Sequence, residues 1–178
     1  VTGVQTCALP ISLARTDAPG AIIAVDLHDV VDERLEMWRP LAEERGVAVT
    51  SEVPAGTVVE AIAGSVEQIL DNYIDNALDY APAGTSISVG ADRVADEVVV
   101  SVADRGPGMS AEARERAFDR FWRGSESQNR PGGSGLGLSI VAQLAAASGA
   151  RVALRENPAG GLIATATFRG VSRDGTNR

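Results

Sequence analysis

Ten residues, Gly132 to Val141, constrain this chain more than any other stretch: Gly-Gly-Ser-Gly-Leu-Gly-Leu-Ser-Ile-Val is a glycine-dense turn feeding straight into an apolar helix. Gly133, Gly135 and Gly137 carry no Cβ, so the backbone there can approach a ligand closely and take dihedrals that other residues avoid. The first amides of the following helix have no partner within it and point back at the turn. Turn and helix together suit an anion, and the phosphates of a nucleotide are the natural occupant. By itself the stretch is also what a flexible loop capped by a core helix looks like. Its spacing is neither Gly-x-x-x-x-Gly-Lys-Ser/Thr nor a Gly-x-Gly-x-x-Gly after the first strand, which leaves a P-loop and a dinucleotide fold without support.

Composition narrows the rest. With 178 residues and 44% hydrophobic content the chain can bury one substantial core, so a single domain is expected. A formal charge of −8 and an isoelectric point near 4.7 argue against nucleic acid as a partner, because its phosphates would be repelled overall. The longest apolar runs, Ala21–Val25 and Ile140–Ala147, fall short of the roughly 20 residues that span a bilayer. One cysteine, Cys7, excludes an internal disulfide framework and fits a reducing cytoplasm, which is the expected compartment. One histidine, His28, excludes a His-rich metal site and leaves no Ser-His catalytic pair unless it serves there itself.

In chain order, the first residue is Val and not Met, and the string from Gly3 to Ile11 resembles translated sequencing-adaptor read-through. Residues 1–20 are therefore expected to be a non-native or linker remnant, disordered and outside the fold. A strand at Ala21–Leu27 precedes a helix from Asp29 to Arg45, whose Val30, Val31, Leu35, Trp38, Leu41 and Ala42 recur at helical spacing. Val47–Val53 and Thr57–Ala63 read as two adjacent strands around a Pro-Ala-Gly turn at 54–56. Ser65, with Gln68 three residues on, is a capping-box start for a helix with Val66, Ile69, Leu70, Tyr73, Ile74 and Ala77 on its buried stripe. Ser86–Asp92 and Glu97–Ala103 form a hairpin, and strands Arg151–Glu156 and Leu162–Arg169 flank an Asn-Pro-Ala-Gly-Gly turn after the helix Leu136–Ser148. Between them, residues 104–134 are a long polar segment with two short helical patches, a length that usually marks function or disorder. The tail 171–178 is expected to be disordered. The mixture of helices and strands predicts a single sheet with helices on one face.

Three further patterns carry chemistry. At about 100° per residue, Asn72, Asn76, Asp79 and Tyr80 fall on one strip beside the apolar stripe of their helix. An asparagine offers a hard cation such as Mg²⁺ a neutral oxygen, and Mg²⁺ keeps several waters while sharing itself with phosphates; the same strip is also how a solvated helix edge reads. Asp104-Arg-Gly-Pro-Gly108 puts a carboxylate at a strand's end, where it could accept from an exocyclic amine such as adenine's, although such turns are often structural. Phe118-Asp-Arg-Phe-Trp-Arg-Gly124 sets three aromatics and two arginines on a short helical patch, fitting either a lid that reaches phosphate or a satellite apolar cluster under a loop.

In this order and spacing, the four elements resemble the ATP-binding catalytic domain of two-component sensor histidine kinases, part of the wider GHKL family shared with gyrase-type topoisomerases and a heat-shock chaperone. Asn72–Tyr80 resembles the family's N box, Asp104–Gly108 its first glycine box, Phe118–Gly124 its F box and Gly133–Gly137 its second glycine box. The resemblance spans residues 21–170 and implies a two-layer α/β sandwich of the Bergerat-type ATP-binding fold, its mixed sheet covered on one face by helices, with a lid at about 105–134; the polar lid residues 109–132 are expected to be mobile without nucleotide. It implies ATP and Mg²⁺ as cofactors. By position, Asn76 would bind the metal and Asn72 would support metal or phosphates, while Tyr80 would lie against the adenine. Asp104 would accept the adenine's amino proton, Gly106 and Gly108 would let the chain pass the base, and Gly133, Gly135 and Gly137 would line the phosphates. Asp79 stands where many relatives carry a basic residue that helps hold phosphate; Arg120, Arg123 or Arg130 of the lid would compensate, Arg120 and Arg123 acting with Asn76 in catalysis. No phosphoacceptor histidine on a helical hairpin is present, since His28 falls at the start of the first helix. The implied partners are a histidine-bearing dimerisation domain in a homodimeric parent kinase, itself expected to be cytoplasmic or anchored in the inner membrane, and the receiver domain of a response regulator. Two alternatives share the fold: a serine kinase of the anti-sigma-factor type, and a non-catalytic module that nucleotide switches.

Overall fold

The computed structural model describes residues 20–120, 122 and 136–171. Most of the expected N-terminal remnant, the centre of the lid with Phe121, Arg123, Arg130, Gly133 and Gly135, and the tail after Val171 lie outside these residues. Val171 itself, placed in the tail by sequence, still donates from its amide to the Val58 carbonyl at 2.9 Å and accepts from Arg93 Nη2 at 3.0 Å.

The described residues form strands β1 (Ile22–Asp26), β2 (Ala48–Glu52), β3 (Val58–Ile62), β4 (Ser86–Val94), β5 (Glu97–Ala103), β6 (Arg151–Glu156) and β7 (Leu162–Gly170). Between them run helices α1 (Leu27–Glu44), α2 (Ser65–Tyr80), α3 (Ala111–Arg116) and α4 (Gly137–Ala147). The strands make one mixed sheet in the order β1-β3-β7-β5-β4-β2, with β6 also on β7. Strand β7 pairs with β5 along its length, while its other edge is shared between β6 at 162–167 and β3 at 169–170. All pairings are antiparallel except β2 with β4. The single sheet with helices on one face is as the residue pattern predicts, and the α/β sandwich is as the resemblance implies.

The two-residue period of the strands explains the layering. Val98, Val100 and Val102 of β5 point into the core, in register with Phe168, Ala166 and Ala164 of β7, while Val99 and Ser101 face the other side, half-buried. Helix α2 covers the buried face and packs against α1 on one side and α4 on the other. Its buried stripe is the predicted one plus Ser65 and Leu78. Phe168, Leu27 and Ile69 are almost wholly buried, each contributing about 1.5–3 kcal/mol by leaving water. Hydrogen bonds fix the helix in place: Trp38 Nε1 of α1 donates to Asp71 Oδ1 at 2.8 Å, and the Tyr73 hydroxyl donates to the Thr165 carbonyl at 3.0 Å. Burial pushes the Tyr73 phenol well above its ordinary pKa, so it stays a donor.

Four local expectations need correction. Strands β2 and β3 are not neighbours. The turn between them forms, with Thr57 Oγ1 donating to the Pro54 carbonyl at 2.7 Å, but the Thr57 carbonyl then accepts from Leu27 and commits β3 to β1. A turn reverses the chain without choosing the strand's partner. The Ser65–Gln68 capping box does not form either: Gly64 is the N-cap, and Ser65 Oγ donates to the Ile62 carbonyl at 2.7 Å and meets Ser148 Oγ at 3.0 Å, joining β3, α2 and the end of α4. Helix α1 begins two residues earlier than expected because Asp26 Oδ1 accepts from the His28 amide at 3.0 Å as an N-cap. The helical patch expected at Phe118–Gly124 is, over its described residues, a pair of turns through Asp119 N to Arg116 O and Trp122 N to Asp119 O. No helix among the described residues is long and apolar enough to cross a membrane.

Candidate functional site

An open cleft runs between α2, the end of β5, the β6–β7 turn and the start of α4. Helix periodicity delivers the first wall: with Tyr73, Ile74, Ala77 and Leu78 turned into the core, Asn72, Asn76, Asp79 and Tyr80 are left along the cleft. Asn72 Nδ2 donates to the Gln68 carbonyl one turn back at 2.7 Å, which aims its Oδ1 at Gly137. A Cβ on Gly137 would sit 2.8 Å from that oxygen, so glycine is what lets α4 begin against the asparagine. Asn76 is half-buried, and among the described residues its carboxamide makes no hydrogen bond. A carboxamide at a cleft wall, near the start of α4 and with its neutral oxygen unclaimed by donors among the described residues, has the chemistry of a ligand for a hydrated hard cation.

The opposite wall is built around Asp104, just past β5 and 7% exposed. Its Oδ1 accepts from the Gly106 amide at 2.7 Å and the Leu162 amide at 3.3 Å. Its Oδ2 has no protein donor among the described residues, so one carboxylate oxygen is fixed and the other is left for a ligand. Burial raises the Asp104 pKa, and the two amides pull the other way. Gly106 is squeezed between walls: a Cβ there would lie 2.9 Å from the Tyr80 carbonyl and 3.0 Å from Asp104 Oδ1. The sequence-predicted residues Asn72, Asn76, Tyr80, Asp104, Gly106, Gly108 and Gly137 thus share one cleft. Arg120 is not among its lining residues; with the Gln143 carboxamide turned oxygen-first, Arg120 Nε and Nη2 donate to it at 3.1 and 2.8 Å.

Residues not anticipated from the sequence complete the site. Arg45, at the end of α1, donates from Nη1 to Asp79 Oδ1 at 3.0 Å, and so brings a guanidinium to the acid that stood out in the N-box-like stretch. Nearby Asp75 is raised in pKa by burial and by Asp79, while Arg45 lowers it. Asn157 and Gly161 in the β6–β7 turn lie against the Asp104 main chain. Sequence showed that turn only as a hairpin signal.

The profile of the family described as histidine kinase-, DNA gyrase B-, and HSP90-like ATPase matches residues 61–171. The chain is 32% identical over 139 residues to a "Sensor-like histidine kinase SenX3" of Mycolicibacterium smegmatis, covering 78% of this chain and 36% of that protein. It is 40% identical over 136 residues to "Sensor histidine kinase MtrB" of Mycobacterium bovis, covering 73% and 24%. Among solved structures, full-length ShkA in complex with AMPPNP superposes with a TM-score of 0.75 at 29% identity, covering 86% of this chain and 32% of that one. The chain spans about a third or less of the length of these relatives.

Proposed function

Because the chain belongs to the family of histidine kinase-, DNA gyrase B- and HSP90-like ATPases, we propose that in a longer protein it binds Mg-ATP and supplies the γ-phosphoryl group to a histidine on a dimerisation domain. The observation that carries this reading is the pairing across one cleft of a buried carboxylate with a single unclaimed oxygen, Asp104, and an unclaimed carboxamide, Asn76. An adenine amino group fits the first, and a cation bridging phosphates fits the second.

In this reading Asp104 Oδ2 accepts the adenine N6 proton, while Gly106 and Gly108 keep side chains out of the base's plane and Tyr80 lies against it. Asn76 would hold Mg²⁺, which when bound would supply positive charge against that of the phosphates. Asn72 steadies the phosphates beside Gly137, and Gly133 and Gly135 extend the same cradle. Arg120 would leave Gln143 and act with Arg123 as lid cations against the γ-phosphate. Asp79, already paired with Arg45, presents less negative charge to the phosphates than the sequence suggests. The domain would work in the cytoplasm, in a homodimeric parent that passes the phosphoryl group to a response regulator.

The test is to incubate the chain with γ-labelled Mg-ATP and a dimerisation hairpin supplied in trans. Transfer to the hairpin as an acid-labile phosphohistidine supports the reading. An acid-stable phosphoserine points to a serine kinase, and nucleotide binding that only alters a protein contact points to a switch module.

A further inference from the structure

The β6–β7 turn is tied to Asp104 more closely than a hairpin turn requires. Asn157 Nδ2 donates to the Asp104 carbonyl at 2.8 Å, while its Oδ1 accepts from the Ala159 amide at 3.1 Å and closes the turn. The Leu162 amide donates to Asp104 Oδ1, and Arg105 Nη1 donates to the Ala159 carbonyl at 2.7 Å. Gly161 has a φ of +101°, and a Cβ there would collide with the Asp104 carbonyl oxygen and come within 2.7 Å of its Oδ1. The Gly161 carbonyl in turn lies 3.1 Å from where a Gly108 Cβ would be. Asp104 is left little freedom: its carbonyl, amide and one carboxylate oxygen are all held, and the remaining oxygen, on a residue that lines the cleft, has no protein donor among the described residues.

We infer that Asn157 is a positioning residue for nucleobase selection, acting through the Asp104 main chain to aim Oδ2 at an exocyclic amine. The inference rests on the reading of the cleft as an ATP site and adds to it a determinant of adenine over guanine. Adenine places an amino donor where guanine places a carbonyl oxygen, and a fixed acceptor discriminates between the two only if it cannot swing away. Were Asp104 free to rotate, it would lose affinity for adenine and also tolerate guanine. Asn157 holds it through a bond to the backbone, leaving both carboxylate oxygens for other partners.

Two variants separate clamp from turn. Asn157→Ser keeps a short acceptor for the Ala159 amide but cannot reach the Asp104 carbonyl; Asn157→Asp keeps the acceptor and opposes one oxygen to another. Calorimetric titration of the 178-residue chain is expected to show both variants weakened by the same factor, about tenfold, for ATP, ADP and adenosine. The ratio of ATP affinities with and without Mg²⁺ should stay at the parent value, and the preference for ATP over GTP should shrink. Amide exchange at Gly106 and Leu162 should accelerate while that of Val100 in the sheet does not. Parent-like affinity and selectivity in both variants would overturn the inference, as would a loss confined to Mg²⁺-dependent binding or failure of both to fold. If one alone fails to fold, the other decides. If the parent itself binds no ATP, the functional reading fails, and the exchange rates at Gly106 and Leu162 still decide whether Asn157 holds Asp104.

Discussion

The two ends of the cleft are built on different principles. At the Asp104 end the protein holds every polar group of the aspartate but one carboxylate oxygen: two amides on the other oxygen, a carboxamide on the carbonyl, and glycines at contacts no side chain could share. At the Asn76 end the described residues leave a carboxamide with no protein partner, facing a helix N-terminus across Gly137. A base is neutral and flat, so its recognition gains from donors and acceptors fixed in advance. Phosphates arrive with a cation and water of their own, and a site that shares ligands with them is finished only when they are bound. The comparison therefore predicts that damage at one end removes affinity for every adenine nucleotide, and damage at the other removes only what the metal and phosphates contribute.

The largest effect should come from Gly161→Ala. A Cβ at a φ of +101° runs into the Asp104 main chain, so the Asp104 end cannot form as it stands. Thermal melting should show a loss of about 2 kcal/mol or more, and titration no saturable ATP binding. A variant that melts with the parent and still binds ATP would show that this end is less rigid than described.

Next is the pair that sets the two ends against each other. Asp104→Ala should lower affinity for ATP and ADP alike, on the order of 100-fold, with or without Mg²⁺. Asn76→Ala should abolish the Mg²⁺ dependence of ATP affinity while leaving stability within about 1 kcal/mol, because a half-buried residue on a helix edge contributes little to packing. If Asn76→Ala unfolds the chain, or binds ATP with the parent's Mg²⁺ dependence, its carboxamide is structural and the phosphate end is misassigned.

The smallest effect is a pH dependence. Burial raises the folded pKa of Asp104, so below that value the acid is protonated, presents a donor as well as an acceptor, and should bind adenine less selectively. The stability sign is opposite to that of a salt-bridged carboxylate. The contribution is present in full below the unfolded pKa and lost as pH rises through the raised folded value. Apo Asp104→Asn, which keeps the shape without the charge, should therefore melt no lower than the parent at neutral pH. That margin should narrow as pH falls, and a margin that widens would contradict the burial argument.

Much of this is legible in the sequence, and the exceptions share a cause. Asn72, Asn76 and Tyr80 share a helix face by a period that needs only local sequence, and Asp104 stands where a strand gives way to a glycine turn. Arg45 meets Asp79 across 34 positions and Asn157 meets Asp104 across 53; no local pattern contains those contacts. The misplaced neighbours β2 and β3 failed in the same way, since their turn was visible and their partners were not. Ser65 looked like a cap because Gln68 followed at the right spacing, yet its hydroxyl was claimed by Ile62 and Ser148, the latter 83 positions away.

Calorimetric titration of the unmodified chain with ATP, run with Mg²⁺ and again with the metal chelated, and repeated with GTP, tests the account most directly. It predicts saturable heat with Mg-ATP, weaker but measurable binding of ATP when the metal is withdrawn, and far weaker binding of GTP in both conditions. No heat at millimolar Mg-ATP, or equal binding of ATP and GTP, would contradict it.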